Sequence, residues 1–277
     1  MKNKYLQLMK PGIILGNWMT AAGAFAFISK EGMNFELFFP MLIGLGSVMG
    51  SGCVFNNYID RVSDAKMERT KNRALAKGEM MPWKALVFGT LLGVFGVALL
   101  SLFCNVLTAS IAALGWAVYV CIYSFLKHYT LHASFIGSIA GAAPPLVGYC
   151  SKTGSLDFTA ALLFSILVFW QMPHFFAIAI YRMEDYVSAS IPVVPVQKGV
   201  FFTKVVMLIF CVAFAMAGAM LSLFIGMGFL IAILLLGVLW IWLSIKGFQA
   251  NDDKIWARNM FRFSLIVITA FCFLIAF

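Results

Sequence analysis

Charge is what this sequence has least of. Only 11% of its 277 residues are Asp, Glu, Lys or Arg, against about 25% in an ordinary soluble domain. By contrast 62% are apolar, and the mean hydropathy is +0.95. A water-soluble fold has too little interior to hide that much apolar surface, so lipid must be the solvent for most of the chain. Cys53, Cys104, Cys121, Cys150, Cys211 and Cys272 form no Cys-x-x-Cys pair. They read as small apolar side chains of a helix bundle, not as a disulfide or metal framework. There are three histidines, and no Ser/His/Asp or Cys/His arrangement for nucleophilic catalysis stands out. No long linker, low-complexity tract or soluble appendage breaks the chain, which makes 1–277 a single domain. The net charge of +9 sits on no soluble domain, which argues against a nucleic-acid partner.

Apolar runs are what the sequence has in quantity. Nine are long enough to span, near 13–28, 36–57, 83–103, 106–125, 133–150, 158–181, 201–223, 227–245 and 260–277, given that a span needs about 20 residues. The expected fold is an all-α polytopic membrane protein of about nine transmembrane helices. Asn105 and the glycines at 226–228 mark tight turns between paired spans. With a cytoplasmic N-terminus, this cut puts every Lys and Arg on the inner side except Lys30 and Lys152, as the positive-inside rule requires. Lys2, Lys4 and Lys10 ahead of the first run resemble a signal peptide. Pro11, Asn17 and Trp18 interrupt it, so it is read as a retained first span. Gly44, Gly46, Ser47, Gly50, Ser51 and Gly52 in span two allow close helix approach in lipid. Glycines over 137–141 followed by Pro144 and Pro145 predict a broken fifth span.

The rare charges concentrate in one stretch, 56–73, F-N-N-Y-I-D-R-V-S-D-A-K-M-E-R-T-K-N-R from Phe55. Asn56, Asp60 and Asp64 fall at i, i+4 and i+8, along one helix face with neighbouring Cβ atoms about 5–6 Å apart. Two carboxylates and an amide oxygen so placed suit Mg²⁺, which takes oxygen ligands and is completed by water and substrate phosphates. Arg69, Lys71 and Arg73 follow, suited to phosphate oxygens that the metal leaves uncovered. On a straight helix Arg69 would lie about 140° around from Asp64, at roughly 100° per residue. Convergence on one ligand therefore requires the helix to end or bend between them. A solvated inside loop accounts for the Lys and Arg, but not for two Asp in register with Asn56 at a membrane edge.

The Asn-x-x-x-Asp-x-x-x-Asp pattern after span two of nine resembles the first aspartate-rich motif of the UbiA-type intramembrane prenyltransferases. C-V-F-N-N-Y-I-D-R with K-M-E-R-T-K-N-R resembles one branch, the protoheme IX farnesyltransferases. So do K-P-G-I-I-L-G-N at 10–17, G-A-A-P-P-L-V-G-Y at 141–149, W-Q-M-P-H-F at 170–175, I-P-V-V-P-V at 191–196 and D-D-K-I-W-A-R at 252–258. The likeness runs over nearly the whole chain. It implies a UbiA-type bundle in the bacterial plasma membrane, its site towards the cytoplasm. Asn56, Asp60 and Asp64 would hold Mg²⁺ and farnesyl diphosphate, with Arg69 and Arg73 on the diphosphate. The family's second motif, Asp-x-x-x-Asp after span six, is here Tyr181-x-x-x-Asp185. Asp185 becomes the expected further metal or diphosphate contact, and a symmetric two-metal site is in doubt. Lys127 and Arg182 are candidate phosphate partners.

By the same resemblance the acceptor is a vinyl group of heme b. The product is heme O, with a heme-modifying enzyme or terminal oxidase as downstream partner. His174, near the inner end of span six, is either a heme contact, through iron or a propionate, or a hydrogen-bonded helix residue. His128 and His132, after span four, read as interfacial. Trp170 and Tyr149 are candidate cavity residues. Two competing readings are a prenyltransferase for quinone-precursor rings and a secondary transporter. W-Q-M-P-H and K-M-E-R-T argue against the first, and acids at one membrane face instead of mid-span argue against the second.

Overall fold

The structure is a computed structural model that describes residues 4–276, so Lys2 and the last residue of the expected ninth span, Phe277, lie outside it. Nine principal helices follow one another: α1 Pro11–Phe27, α2 Phe35–Asp64, α3 Pro82–Phe103, α4 Val106–Leu126, α5 Ala133–Thr153, α6 Phe158–Tyr181, α7 Val200–Ile225, α8 Met227–Lys246 and α9 Asp253–Ala276. No strand occurs among the described residues. Eight of these helices, α2 to α9, are long and apolar enough to cross a membrane. The remaining one, α1, is shorter at 17 residues.

Local chemistry sets the ends. Asn34, Asn105 and Asp157 cap α2, α4 and α6 by accepting the N–H groups of Leu37, Thr108 and Ala160, which would otherwise be orphaned. Gly226 has φ of 128°, a conformation open chiefly to glycine, and turns α7 directly into α8. Proline opens α1 and α3 at the first helical position, where its missing N–H costs nothing. The fifth span is broken as expected: Ala133–Gly141 ends at Ala142, and a second segment starts at Ala143 ahead of Pro144 and Pro145.

Packing follows two apolar clusters. One joins α6 to α9 through Leu163, Met207, Phe214, Trp240 and Phe271. The other joins α1 to α5 through Phe25, Met41, Leu45, Leu100, Ala112 and Val147. Lipid tails are as apolar as these side chains, so close fit, not escape from water, holds helices together here. The crossing of α1 on α5 shows how close. A Cβ added at Gly148 would come within 2.0 Å of the Ala21 carbonyl oxygen, so any larger residue would push the two helices apart. Lys152 donates to Ser29 Oγ and the Gly32 carbonyl at one end of the bundle. Lys30, Glu31, Glu36 and Asp157 share that end, and most of the remaining charge gathers at the other, where the site lies.

Two spans run differently from expectation. α2 continues seven residues beyond the expected 57, so Asn56, Asp60 and Asp64 share one continuous helix in the register their spacing predicts. α9 begins at Asp253 instead of 260, because Asp252 caps it with its carboxylate, accepting from the N–H groups of Lys254 and Ile255.

Candidate active site

The last two turns of α2 carry Asn56, Asp60 and Asp64 on one buried face, each 5% exposed or less. A buried carboxylate is costly unless it is paired, and each member of the row has its own cation. Lys10 donates to Asn56 Oδ1 at 2.7 Å. Lys127 pairs with Asp60 Oδ2. Arg73 donates to Asp64 Oδ2 at 2.7 Å. These three cations come from three segments: the residue before α1, the end of α4, and the chain after α2.

The expected break falls directly after Asp64. Thr70, itself buried, donates its hydroxyl to the Asp64 carbonyl at 3.0 Å, so the chain folds back and Arg73 reaches the carboxylate of the residue that ended the helix. Arg69 stays exposed at the rim, without a salt bridge or hydrogen bond among the described residues.

α4 meets this row in a special way. Its segment Val118–Tyr123 is wound as π-helix, a rare form that is frequent at functional sites. The wider turn stacks Tyr119 on Tyr123, centroids 5.4 Å apart. It also brings Ser124 Oγ to accept from Asn56 Nδ2 at 3.0 Å. With Oδ1 taking Lys10 and Nδ2 giving to Ser124, the orientation of the Asn56 amide is fixed. One turn on, Lys127 and His128 reach Asp60, the His128 Nε2 lying 3.3 Å from Oδ1. His128 therefore belongs to the site, contrary to the interfacial reading. His132 makes no such contact.

Asp185 lies on the short helix Met183–Ser188 after α6 and meets the chain just past α2. Its Oδ1 accepts the N–H of Glu68 at 3.2 Å, and Arg182 approaches Oδ2 at 3.9 Å. Ser188 Oγ also donates to the Lys66 carbonyl, while Met67 packs against Ala189 and Ile191, with Tyr186 alongside. The two charged connections thus dock on each other. Burial pushes the Tyr186 phenol up to about 12, so it stays a neutral hydroxyl. Tyr181 closes α6 against Phe261, with the guanidinium of Arg182 5.2 Å from its ring. A cavity of about 390 Å³ beside it is lined by Tyr181, Glu184, Asp252 and Lys254, which places the 252–258 string here.

Lys10 was expected only as an inside charge. Its φ of 53° is uncommon for a non-glycine residue, above all before proline, and such strain concentrates at functional sites. Burial pushes its ammonium down to about 8. The sequence signal, a lysine held between a short helix and a Pro-Gly start, says nothing about Asn56, 46 residues away. Ser124 and Tyr119 were missed as well, because a π turn has no sequence signature of its own.

Deeper along α6, two turns from its end, His174 stacks on Trp170 with centroids 4.9 Å apart and bonds through Nδ1 to Ser264 Oγ of α9 at 2.7 Å. Trp170 donates to the Ser264 carbonyl at 2.7 Å. Tyr149 lies elsewhere, donating to Asp157 at 2.6 Å.

The donor set on α2 is all oxygen, the kind that hard cations take, and three positive groups already sit on it. That fits a divalent ion shared with a phosphate substrate. It does not fit a closed protein cage: no group of three or more His, Cys, Asp or Glu gathers as a metal site among the described residues.

Comparison with known proteins gives the following. The model of the UbiA prenyltransferase family matches residues 17–266. The protoheme IX farnesyltransferase of Protochlamydia amoebophila is 46% identical over 279 residues, 100% of this chain and 99% of that protein. That of Citrobacter koseri is 47% identical, over 98% and 92%. Among solved structures, one of digeranylgeranylglyceryl phosphate synthase superposes with a TM-score of 0.80 at 18% identity, covering 99% and 97% of the two chains. A UbiA homolog from Archaeoglobus fulgidus bound to DMAPP and Mg²⁺ gives 0.77 at 14%, covering 96% and 99%.

Proposed function

The chain belongs to the UbiA prenyltransferase family, and on that premise we propose that it transfers the farnesyl group of farnesyl diphosphate to a vinyl group of heme b, producing heme O. The observation that carries the diphosphate half is the row Asn56, Asp60, Asp64, each residue with its own cation. The acceptor is supported by likeness to protoheme IX farnesyltransferases along the whole chain.

Asn56, Asp60 and Asp64, with Asp185 from the facing connection, are the residues that would hold Mg²⁺, and when bound it would supply positive charge to the diphosphate oxygens. Arg69 and Arg73, with Lys10, Lys127 and Arg182 around them, offer N–H donors to the same oxygens. Arg69 is the most available, having no carboxylate to leave. Lys127 and Arg73 stand ready to exchange their aspartates for phosphate once those oxygens take the metal.

With that charge stabilised, the C1–O bond of the substrate breaks and its electron pair leaves on diphosphate. The vinyl π electrons of heme attack the allylic C1, forming the C–C bond and leaving a cation beside the porphyrin. Water adds to that carbon and loses a proton, giving the hydroxyethylfarnesyl group. No base is needed to make the nucleophile. The chain's part is to hold diphosphate at the charged end, orient the acceptor near His174 within the bundle, and keep bulk water from the allylic cation.

The Lys and Arg distribution supports an N-terminus and site facing the cytoplasm, and the likeness to bacterial farnesyltransferases supports the bacterial plasma membrane as its location. A heme-modifying enzyme or terminal oxidase is the kind of partner that would consume the product. Purified protein incubated with heme b, farnesyl diphosphate and Mg²⁺ should yield heme O. Unaltered heme together with a prenylated hydroxybenzoate would overturn the acceptor.

A further inference from the structure

The hydrogen bonds around Ser264 decide something about His174 that its position alone does not. A serine hydroxyl has one proton. Ser264 is fully buried on α9, and its Oγ donates that proton to the Phe261 carbonyl at 2.6 Å. The same Oγ lies 2.7 Å from His174 Nδ1. With its proton spent, the oxygen can only accept, so Nδ1 must be the protonated ring nitrogen. Trp170, Phe175 and Phe261 surround the ring, an apolar setting in which an imidazolium is costly. The neutral ring then has a bare lone pair on Nε2, which has no hydrogen-bond partner among the described residues and is not among the enclosed unpaired atoms.

Resting on the reading that heme is the acceptor, we propose that Ser264 is a positioning residue that fixes His174 in its Nδ1–H form, so that Nε2 is an axial ligand for the iron of the bound heme. A heme propionate is excluded as the partner of Nε2, since a propionate needs a donor and Nε2 has no proton to give. The second bond to Ser264, from Trp170 Nε1 to its carbonyl, holds the stacked indole in place and sets the ring plane of His174. A hydrogen bond on the non-ligating nitrogen is the common way to fix tautomer and orientation in histidine ligation of metals.

The first test needs no variant. In ¹⁵N-histidine-labelled protein, His174, assigned by loss of its signals in His174→Ala, should show a protonated Nδ1 and an unprotonated Nε2; the opposite tautomer overturns the proposal. The second reads heme b bound to detergent-solubilised protein without farnesyl diphosphate. Wild type and Ser264→Thr should give a histidine-ligated visible spectrum and an iron–histidine Raman band. His174→Ala should lose both, and Ser264→Ala should bind heme about 10–100-fold more weakly, the usual cost of losing such a supporting partner. A histidine-ligated spectrum in His174→Ala, or wild-type affinity and spectrum in Ser264→Ala, overturns it. If the ligated spectrum is present but no farnesylated heme forms, the proposed reaction fails and the ligand assignment stands.

Discussion

Replacing Asp60 by Asn separates what the aspartate does for the fold from what it does for the reaction. The Asp60 side chain is 7% exposed and that of Lys127 15%, so the substitution leaves an ammonium facing an amide in a largely dry place. Breaking a buried pair from one side costs about 3–5 kcal/mol. Lys127 keeps some solvent and lies 5.5 Å from the centre of the Tyr123 ring, which puts the expected loss at the lower end, about 3 kcal/mol. On activity, one preorganised charge-stabilising group is worth about 10²–10³ in rate. The double variant Asp60→Asn/Lys127→Met removes both charges and should recover most of the stability, since a matched apolar replacement of an ion pair is often neutral. It should recover none of the activity. The assay pairs thermal unfolding in micelles with heme O formation from heme b and farnesyl diphosphate. Asp60→Asn retaining more than about a tenth of the wild-type rate, or the double variant regaining it, would refute the assignment of Asp60.

Arg69→Ala should raise the KM for farnesyl diphosphate by about tenfold or more, the worth of one charge-assisted hydrogen bond. The melting temperature should barely move, because Arg69 has no hydrogen bond or salt bridge to lose among the described residues. Arg73→Ala should lower both affinity and stability, since it unpairs the buried Asp64. Gly148→Ala should prevent normal assembly of α1 on α5, seen as loss of monodisperse protein on size exclusion; its Cβ would overlap the Ala21 carbonyl. Burial alone would raise the Asp157 carboxyl, but the Tyr149 hydroxyl and the backbone N–H groups at the start of α6 hold it below its ordinary value. A depressed carboxyl stabilises the fold above its unfolded value near 3.8, and that contribution disappears as pH falls through the folded one. Thermal scans should therefore show wild type more stable than Asp157→Asn at neutral pH, the gap closing below about pH 4.

Much of this was legible in the sequence because lipid imposes simple rules. The sixth span was read at 158–181 and the helix runs over the same residues, since a polar Asp157 and a charged Arg182 bracket an unbroken apolar run. The row of Asn56, Asp60 and Asp64 was legible because helical period is local, and so was the stop after Asp64, because the arginines could not otherwise turn towards it. What stayed hidden is what depends on contacts between distant segments. Lys10 on Asn56 and Ser124 beneath it are 46 and 68 residues away from their partner. His128 looked interfacial because it sits beside a helix end, and only the approach of α4 to α2 turns it towards Asp60. The early start of α9 was missed because Asp252 and Asp253 look like loop charges until one of them is seen capping a helix.

The pairing of each residue in the α2 row with its own cation also bears on how the chain is made. Lys10, Asn56, Asp60, Asp64, Arg73, Lys127 and His128 all belong to the first four spans and the turn that follows. Asp185, His174 and Ser264 emerge from the ribosome much later. A nascent chain that has inserted only through α4 can therefore neutralise its costly charges among themselves before substrate, metal or the second half arrives. It presents no naked carboxylate to lipid while it waits. The diphosphate end can be finished early in biogenesis, and the acceptor end proposed around α6 and α9 closes on it last.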